Sequence, residues 1–178
     1  REGAMIGIRR ISTDSSLYPQ AVALREAALL RPLELDIAAF KQHFPGLEER
    51  MEHFVAVLDH PLGPRVVGCA GLVVEPDQNG GAERGRVMQM AVDAQRQGEG
   101  IGRRLLAAVE ARAIGELGVS SLYCHAQRGA IGFYERLGWQ IDSDEFEEAG
   151  IPHRVMTITG SPKPGPGEAS GPEEFVPQ

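Results

Sequence analysis

Three glycines stand at alternate positions in the loop Gln97-Gly98-Glu99-Gly100-Ile101-Gly102, between a β-rich run at residues 85–92 and a helical stretch. This segment constrains the fold more than any other. A strand ends at Val92, and after the polar loop Leu105, Leu106, Val109 and Ile114 form one apolar stripe of an amphipathic helix. That helix starts near Gly100 and ends at Gly118, and a second strand follows at 119–124. Such a strand–helix–strand unit joins parallel neighbours and is right-handed almost without exception. The loop itself reads as an anion cradle. Glycine lets backbone approach a ligand with no Cβ in the way. The first N–H groups of a helix lack intrahelical partners, and the helix dipole favours negative charge there. With Arg103 and Arg104 close by, a diphosphate is the natural guest.

The two common nucleotide patterns fail on spacing. A P-loop needs Gly-x-x-x-x-Gly-Lys followed by Ser or Thr, which is absent. A dinucleotide fingerprint needs Gly-x-Gly-x-x-Gly, and here Arg104 stands near the place of the third glycine. Glu116 lies inside the helical stretch and is no ribose anchor. An unligated turn is the competing reading, and the three glycines weigh against it.

The remaining elements can be placed from periodicity and punctuation. Ile6–Ile11 reads as a strand. Tyr18-Pro19 opens a helix that runs to Leu30, before Pro32. Asp36 caps a short helix through Phe44, stopped by Pro45-Gly46. Runs at 54–58 and 66–74 form a hairpin around His60-Pro61-Leu62-Gly63-Pro64. Residues 77–83 are a polar loop, 130–137 a helix, and 139–141 and 155–159 strands. The expected class is α/β (α+β), a mixed sheet flanked by helices.

With 178 residues, the chain is about one domain long. We expect that domain at residues 6–160. Residues 1–5 read as an N-terminal extension or expression scar, with Met5 a plausible native start. Residues 161–178 carry five prolines among glycines and read as a flexible tail. The net charge of −7 argues against a nucleic-acid binder. No apolar run approaches the roughly 18 residues of a spanning helix, so no membrane partner is expected. The two cysteines, Cys69 and Cys124, make no disulfide framework, and a reduced cytoplasm is the simplest location. The five histidines are scattered without ligand spacing, so no metal is expected. Cys124 reads as a packed thiol.

The glycine loop, preceded by Met90-Ala91-Val92, resembles the Gln/Arg-x-x-Gly-x-Gly/Ala signature of the GNAT family of N-acetyltransferases. A second block, Phe133-Tyr134-Glu135-Arg136-Leu137-Gly138-Trp139, looks like the family's Phe-Tyr-Glu-x-Leu-Gly-Phe motif, with Trp139 for the usual Phe. A third, Phe146-Glu147-Glu148-Ala149-Gly150-Ile151-Pro152-His153, is similar to the ending of the ElaA/YjcF-like branch. The resemblance spans about 6–159.

This resemblance implies the GNAT fold: a mixed, strongly twisted sheet whose two central parallel strands splay apart around acetyl-CoA. The implied co-substrate contacts are the backbone of Met90 and Val92 with the pantetheine arm, and the N–H groups of Gln97, Gly98, Gly100, Ile101, Gly102 and Arg103 with the pyrophosphate. Gln127 stands where relatives carry an arm-binding Asn. The implied reaction is acetyl transfer from acetyl-CoA to an amine by direct attack in a ternary complex. Tyr134 takes the place of the residue that protonates the leaving thiolate. Glu148, His153 and His125 are candidate bases, and a water chain is an equal alternative. The acceptor is left open between a small-molecule amine and a protein lysine. A non-catalytic acyl-CoA-binding domain on the same fold is the second reading. A homodimer through the last strand is what relatives suggest. The acidic run Asp142, Asp144, Glu145, Glu147 and Glu148 reads as a solvated face, or as a rim that draws a cationic amine.

Overall fold

The structure is a computed structural model that describes residues 5–76, 79 and 83–160. The expected tail, the first four residues and most of the 77–83 loop lie outside the described residues.

Local signals act where they stand. β1 (Ile6–Ile11) is followed by α1 (Tyr18–Arg25), with Pro19 in its first turn, and α1 widens into a π-helical turn at Glu26–Leu30. Asp36 accepts from Ala39 N at 2.8 Å and caps α2 (Ile37–His43). Gly46, at φ +74°, turns the chain into α3 (Leu47–Arg50), a short helix with no signal in the sequence. β2 (Glu52–Leu58) and β3 (Arg65–Glu75) form the expected hairpin, and β4 (Arg84–Val92) follows. α4 (Ile101–Glu110) continues as a wide turn at Ala111–Glu116. Then come β5 (Ser121–Gln127), α5 (Ile131–Arg136), β6 (Gln140–Ile141), β7 (Phe146–Glu148) and β8 (Ile151–Thr159).

Among the described residues eight strands form one mixed sheet in the order β1-β2-β3-β4-β5-β8-β6, with β7 also on β8. Among the described residues β4 and β5 are the one parallel pair, and they meet only at Arg84↔Ser121, Gly85↔Leu122 and Arg86↔Tyr123. Beyond Arg86 they part. A bulge accompanies the parting: Cys69 pairs with Ala91 but Gly71 with Met88, and Gln89 takes φ +53°. An extra residue of this kind bends its strand and raises the local twist. The expected splay of two central parallel strands is therefore present, with the bulge on its β4 side.

Several boundaries differ from the sequence reading, and β7 has no counterpart in it. The strand expected at 119–124 starts at Ser121, because Val119 is buried and its N–H closes the preceding helix on Ala113 O. The last strand starts at Ile151 rather than 155, with Phe146 opposite His153. Pro152 hid it, but Pro152 lies past the end of β5, where a missing donor is tolerated. β8 runs between β5 on one side and β6 and β7 on the other, which leaves the last strand little free edge for a partner.

Helices cover both faces. A Cβ on Gly68 would stand 2.8 Å from Ile101 Cγ2 and 2.9 Å from Leu105 Cδ1, so α4 lies directly on β3 there. The next residue, Cys69, points the other way and packs with Leu17 and Ala21 around α1. The α4 face buries Leu105, Leu106, Val109, Leu122 and Met156 completely. No helix among the described residues is long and apolar enough to cross a membrane.

Candidate active site

A cleft of about 520 Å³ opens where β4 and β5 part. Its walls come from both faces of the sheet: Phe133 and Tyr134 of α5 on one side, Leu29, Phe40 and Phe44 of the α1–α2 region on the other. The opening therefore passes through the sheet.

Of the residues singled out in the sequence, Met90, Gln127, Tyr134, Glu148 and His153 line this cleft, together with His125 and Cys124. Val92, Gln97, Gly98, Gly100, Ile101, Gly102 and Arg103 do not; they belong to the end of β4, the loop and the start of α4. There Gly98 and Gly100 adopt φ +83° and +76°, a backbone that favours glycine. Gly100 caps α4 without any side-chain hydrogen bond. The first intrahelical bond runs from Arg104 N to Gly100 O over 3.1 Å, which leaves the N–H groups of Ile101, Gly102 and Arg103 for an outside acceptor. No heavy atom stands within 4 Å of where a Cβ on Gly98 or Gly100 would be, so the cradle is open. Gly102 is less constrained, because its Cβ would only touch Phe133 at 3.5 Å. Ile101 contributes backbone alone, since its side chain is buried against β3. These features fit a diphosphate.

Tyr134 is buried, hydrogen-bonded to the Cys124 thiol and packed against Trp139 at 5.3 Å between ring centroids. Burial, reinforced by Cys124, raises its phenol far above the ordinary value of 10. Burial likewise pushes the Cys124 thiol up to about 11, as expected of a packed thiol.

Glu148 lies between two imidazoles. Its Oε1 is 3.0 Å from His125 Nδ1 and its Oε2 is 3.6 Å from His153 Nε2. His153 Nδ1 is 2.7 Å from Ile151 O. A carbonyl only accepts, so Nδ1 carries a hydrogen; Nε2 without one and the Glu148 carboxylate are both acceptors, so a proton placed between them is shared by the two. Phe146 wedges between the rings, at 5.2 Å from His125 and 6.0 Å from His153. Strand alternation explains the choice of carboxylate: Phe146 and Glu148 share one face of β7, and Glu147 takes the other. The acidic rim thus shrinks to Glu148, because Glu145 is hydrogen-bonded to Arg128 and none of Asp142, Asp144, Glu145 and Glu147 lines the cleft.

Arg86 was missed by the sequence reading. It lines the cleft, places Nη2 3.2 Å from His125 Nδ1 and has a buried Nε with no hydrogen-bond partner among the described residues. Its signal was a cation inside a β-rich run, two residues from Met88 on the same face. Among the described residues, no three His, Cys, Asp or Glu are grouped to hold a metal.

A profile for an acetyltransferase (GNAT) domain matches residues 34–159. The uncharacterized protein YyaT of Bacillus subtilis is 28% identical over 152 residues, 85% of this chain and 95% of its own. A chain of the NatC complex bound to Gag peptide and CoA superposes with a TM-score of 0.71 at 16% identity, over 88% of this chain and 99% of that one. Escherichia coli ElaA superposes at 0.62 with 19% identity, over 86% and 99%. At such identities the structural likeness speaks for the fold, and the profile speaks for descent. Since the profile runs from just before α2 to the end of β8 and so takes in the whole splay, this chain belongs to the GNAT family of acetyltransferases, whose general chemistry is acyl transfer.

Proposed function

We propose that this chain moves an acetyl group from acetyl-CoA to the nitrogen of an amine by direct attack in a ternary complex, within a catalytic domain at 6–160. One observation carries the reading: Tyr134 and the Glu148–His153 pair stand on the walls of the same through-sheet cleft. The NatC structure, which is named as bound to CoA, supports the same donor here.

In this reading the open N-terminus of α4 holds the pyrophosphate through the N–H groups of Gln97, Gly98, Gly100, Ile101, Gly102 and Arg103. Among the described residues β4 beyond Arg86 has no strand partner on its β5 side, so the backbone of Met90 and Val92 pairs with the extended pantetheine arm as with an added strand. Gln127 contacts the same arm from β5. The acceptor enters from the α1–α2 face.

A protonated amine is no nucleophile. His153 Nε2 and Glu148 take its proton and pass it to solvent, which Glu148 reaches with a side chain 45% exposed. The nitrogen then forms its bond to the thioester carbonyl carbon and the carbon–sulfur bond breaks. Tyr134 meets the leaving sulfur with its O–H. Its raised pKa keeps it protonated at neutral pH, which is the form a donor needs. Two protons leave the nitrogen: the first goes to solvent, and the second, shed once the nitrogen is bonded to the carbonyl carbon, replaces the one Tyr134 gives to the sulfur, so each ammonium acetylated releases one net proton.

The test is thiol release from acetyl-CoA across an amine panel, with acetylated product confirmed by mass. Tyr134→Phe should lower kcat by about 10- to 1,000-fold with little change in acetyl-CoA affinity. Tight acetyl-CoA binding without thiol release for any amine would instead favour a binding domain.

A further inference from the structure

We infer that the acceptor carries a single primary amine on an apolar, branched or aromatic body. This rests on the acetyl-transfer reading above and adds the substrate class.

The acceptor side of the cleft is built from Leu29, Leu33 and Leu35 of the turns after α1, Phe40 of α2 and Phe44 at its C-cap. Phe44 is 48% exposed and Leu33 38% exposed, although both line the opening. Phe40 is buried behind Phe44, with ring centroids 5.1 Å apart, so the wall presents an aromatic surface. Scattered exposed apolar side chains need no explanation, but a contiguous set on the wall of a cleft marks a ligand surface.

Charge narrows the class further. Among the described residues that line the cleft, Glu148 is the one carboxylate, and it stands between His125 and His153. The other charged or titratable groups on the walls are Arg86, His43, His125 and His153, with the Cys124 thiol and the Tyr134 phenol, both neutral at pH 7. A polyamine or an aminoglycoside would bring several ammonium groups. Only one could meet a carboxylate; the rest would lose water without an anionic partner, and one would approach the Arg86 guanidinium. One amine suits the Glu148–His153 pair, and the rest of the acceptor must then be apolar to suit the leucines and phenylalanines.

The experiment uses the full chain with acetyl-CoA and follows thiol release. Phenethylamine should exceed spermidine and kanamycin in kcat/KM by at least about 10-fold, the discrimination that an apolar pocket provides. Phe44→Asp should raise KM for phenethylamine by a similar factor while leaving KM for acetyl-CoA unchanged. Leu33→Asp, on a separate turn, should act the same way, which guards against misfolding of either variant. Turnover that prefers spermidine or kanamycin overturns this inference alone. So does an unchanged KM in both variants. If no amine releases thiol, the acetyl-transfer reading fails and this inference falls with it.

Discussion

Arg25 Nε donates to Gln89 Oε1 across 3.2 Å, so a guanidinium buried under α1 reaches the bulge at which β4 turns away from β5. Its terminal nitrogens hold both oxygens of Glu48, at 2.5 and 3.0 Å, and Tyr18 donates to the same carboxylate at 2.6 Å. Both members of the ion pair are almost fully buried, at 2% and 1% exposure. The scaffold on the acceptor side and the splay are thereby tied together.

Removing one partner of such a pair strands the other charge. Glu48→Gln should therefore cost about 3–5 kcal/mol in chemical unfolding. The pH dependence has a definite sign. Burial by itself raises the Glu48 pKa, but the hydrogen bonds from Arg25 and Tyr18 outweigh it and hold the carboxyl below its ordinary 4.5. A depressed carboxyl contributes its stability in full above the unfolded value and loses it as pH falls through the folded one. Tm should thus decline below pH 4.5 in the native protein, and this part of the decline should be absent in Glu48→Gln.

The glycine loop separates ligand binding from folding. At φ +83° and +76°, Gly98→Ala and Gly100→Ala are strained by roughly 1–2 kcal/mol each. Acetyl-CoA affinity, measured by titration calorimetry, should fall by about tenfold, since the strained backbone re-aims the N–H groups. Gly115→Ala is the control. It has no positive φ and nothing within 4 Å of its Cβ, so it should leave both stability and affinity unaltered or slightly improved.

If Glu148 and His153 remove the amine proton, Glu148→Gln should matter most when that proton is firmly held. We expect kcat/KM for the amine to fall by about 10- to 100-fold at pH 7. Activity should recover towards the native level near pH 10, where a simple amine sheds its own proton. A pH–rate profile of the variant decides this; a deficit that stays constant with pH would assign Glu148 a structural part only.

The two thiols give a chemical readout of the packing. Burial raises both Cys69 and Cys124 to about 11, so neither is a thiolate at neutral pH. Iodoacetamide at pH 7.5 should leave both unmodified in the folded protein and alkylate both after unfolding, as read by intact mass.

Several site residues were legible as letters in a row. Tyr134 sits in a contiguous motif, and the glycines in another, because a strand-to-helix turn and a helix with an inward ring are local structures. Arg86 and the Leu29–Phe44 wall were not legible in that way. Their meaning depends on which face of a strand or helix looks into the cleft, and that face is set by distant pairings. The acidic run shows the same limit, since only the β7–β8 register separates Glu148 from Glu147.

What the sequence determined by itself was therefore local and periodic: the Asp36 cap, the apolar stripe of α4, the parallel crossover and the open helix start at Gly100. Caps, stripes and positive-φ turns act on residues a few positions away, so neighbours suffice to specify them. The tertiary structure alone decided that β4 and β5 part after Arg86, that Gln89 bulges where Arg25 can hold it, and that Glu148 meets His125 and His153. Those are contacts between residues far apart in the chain. They exist only once burial of both sheet faces has chosen one register over its alternatives.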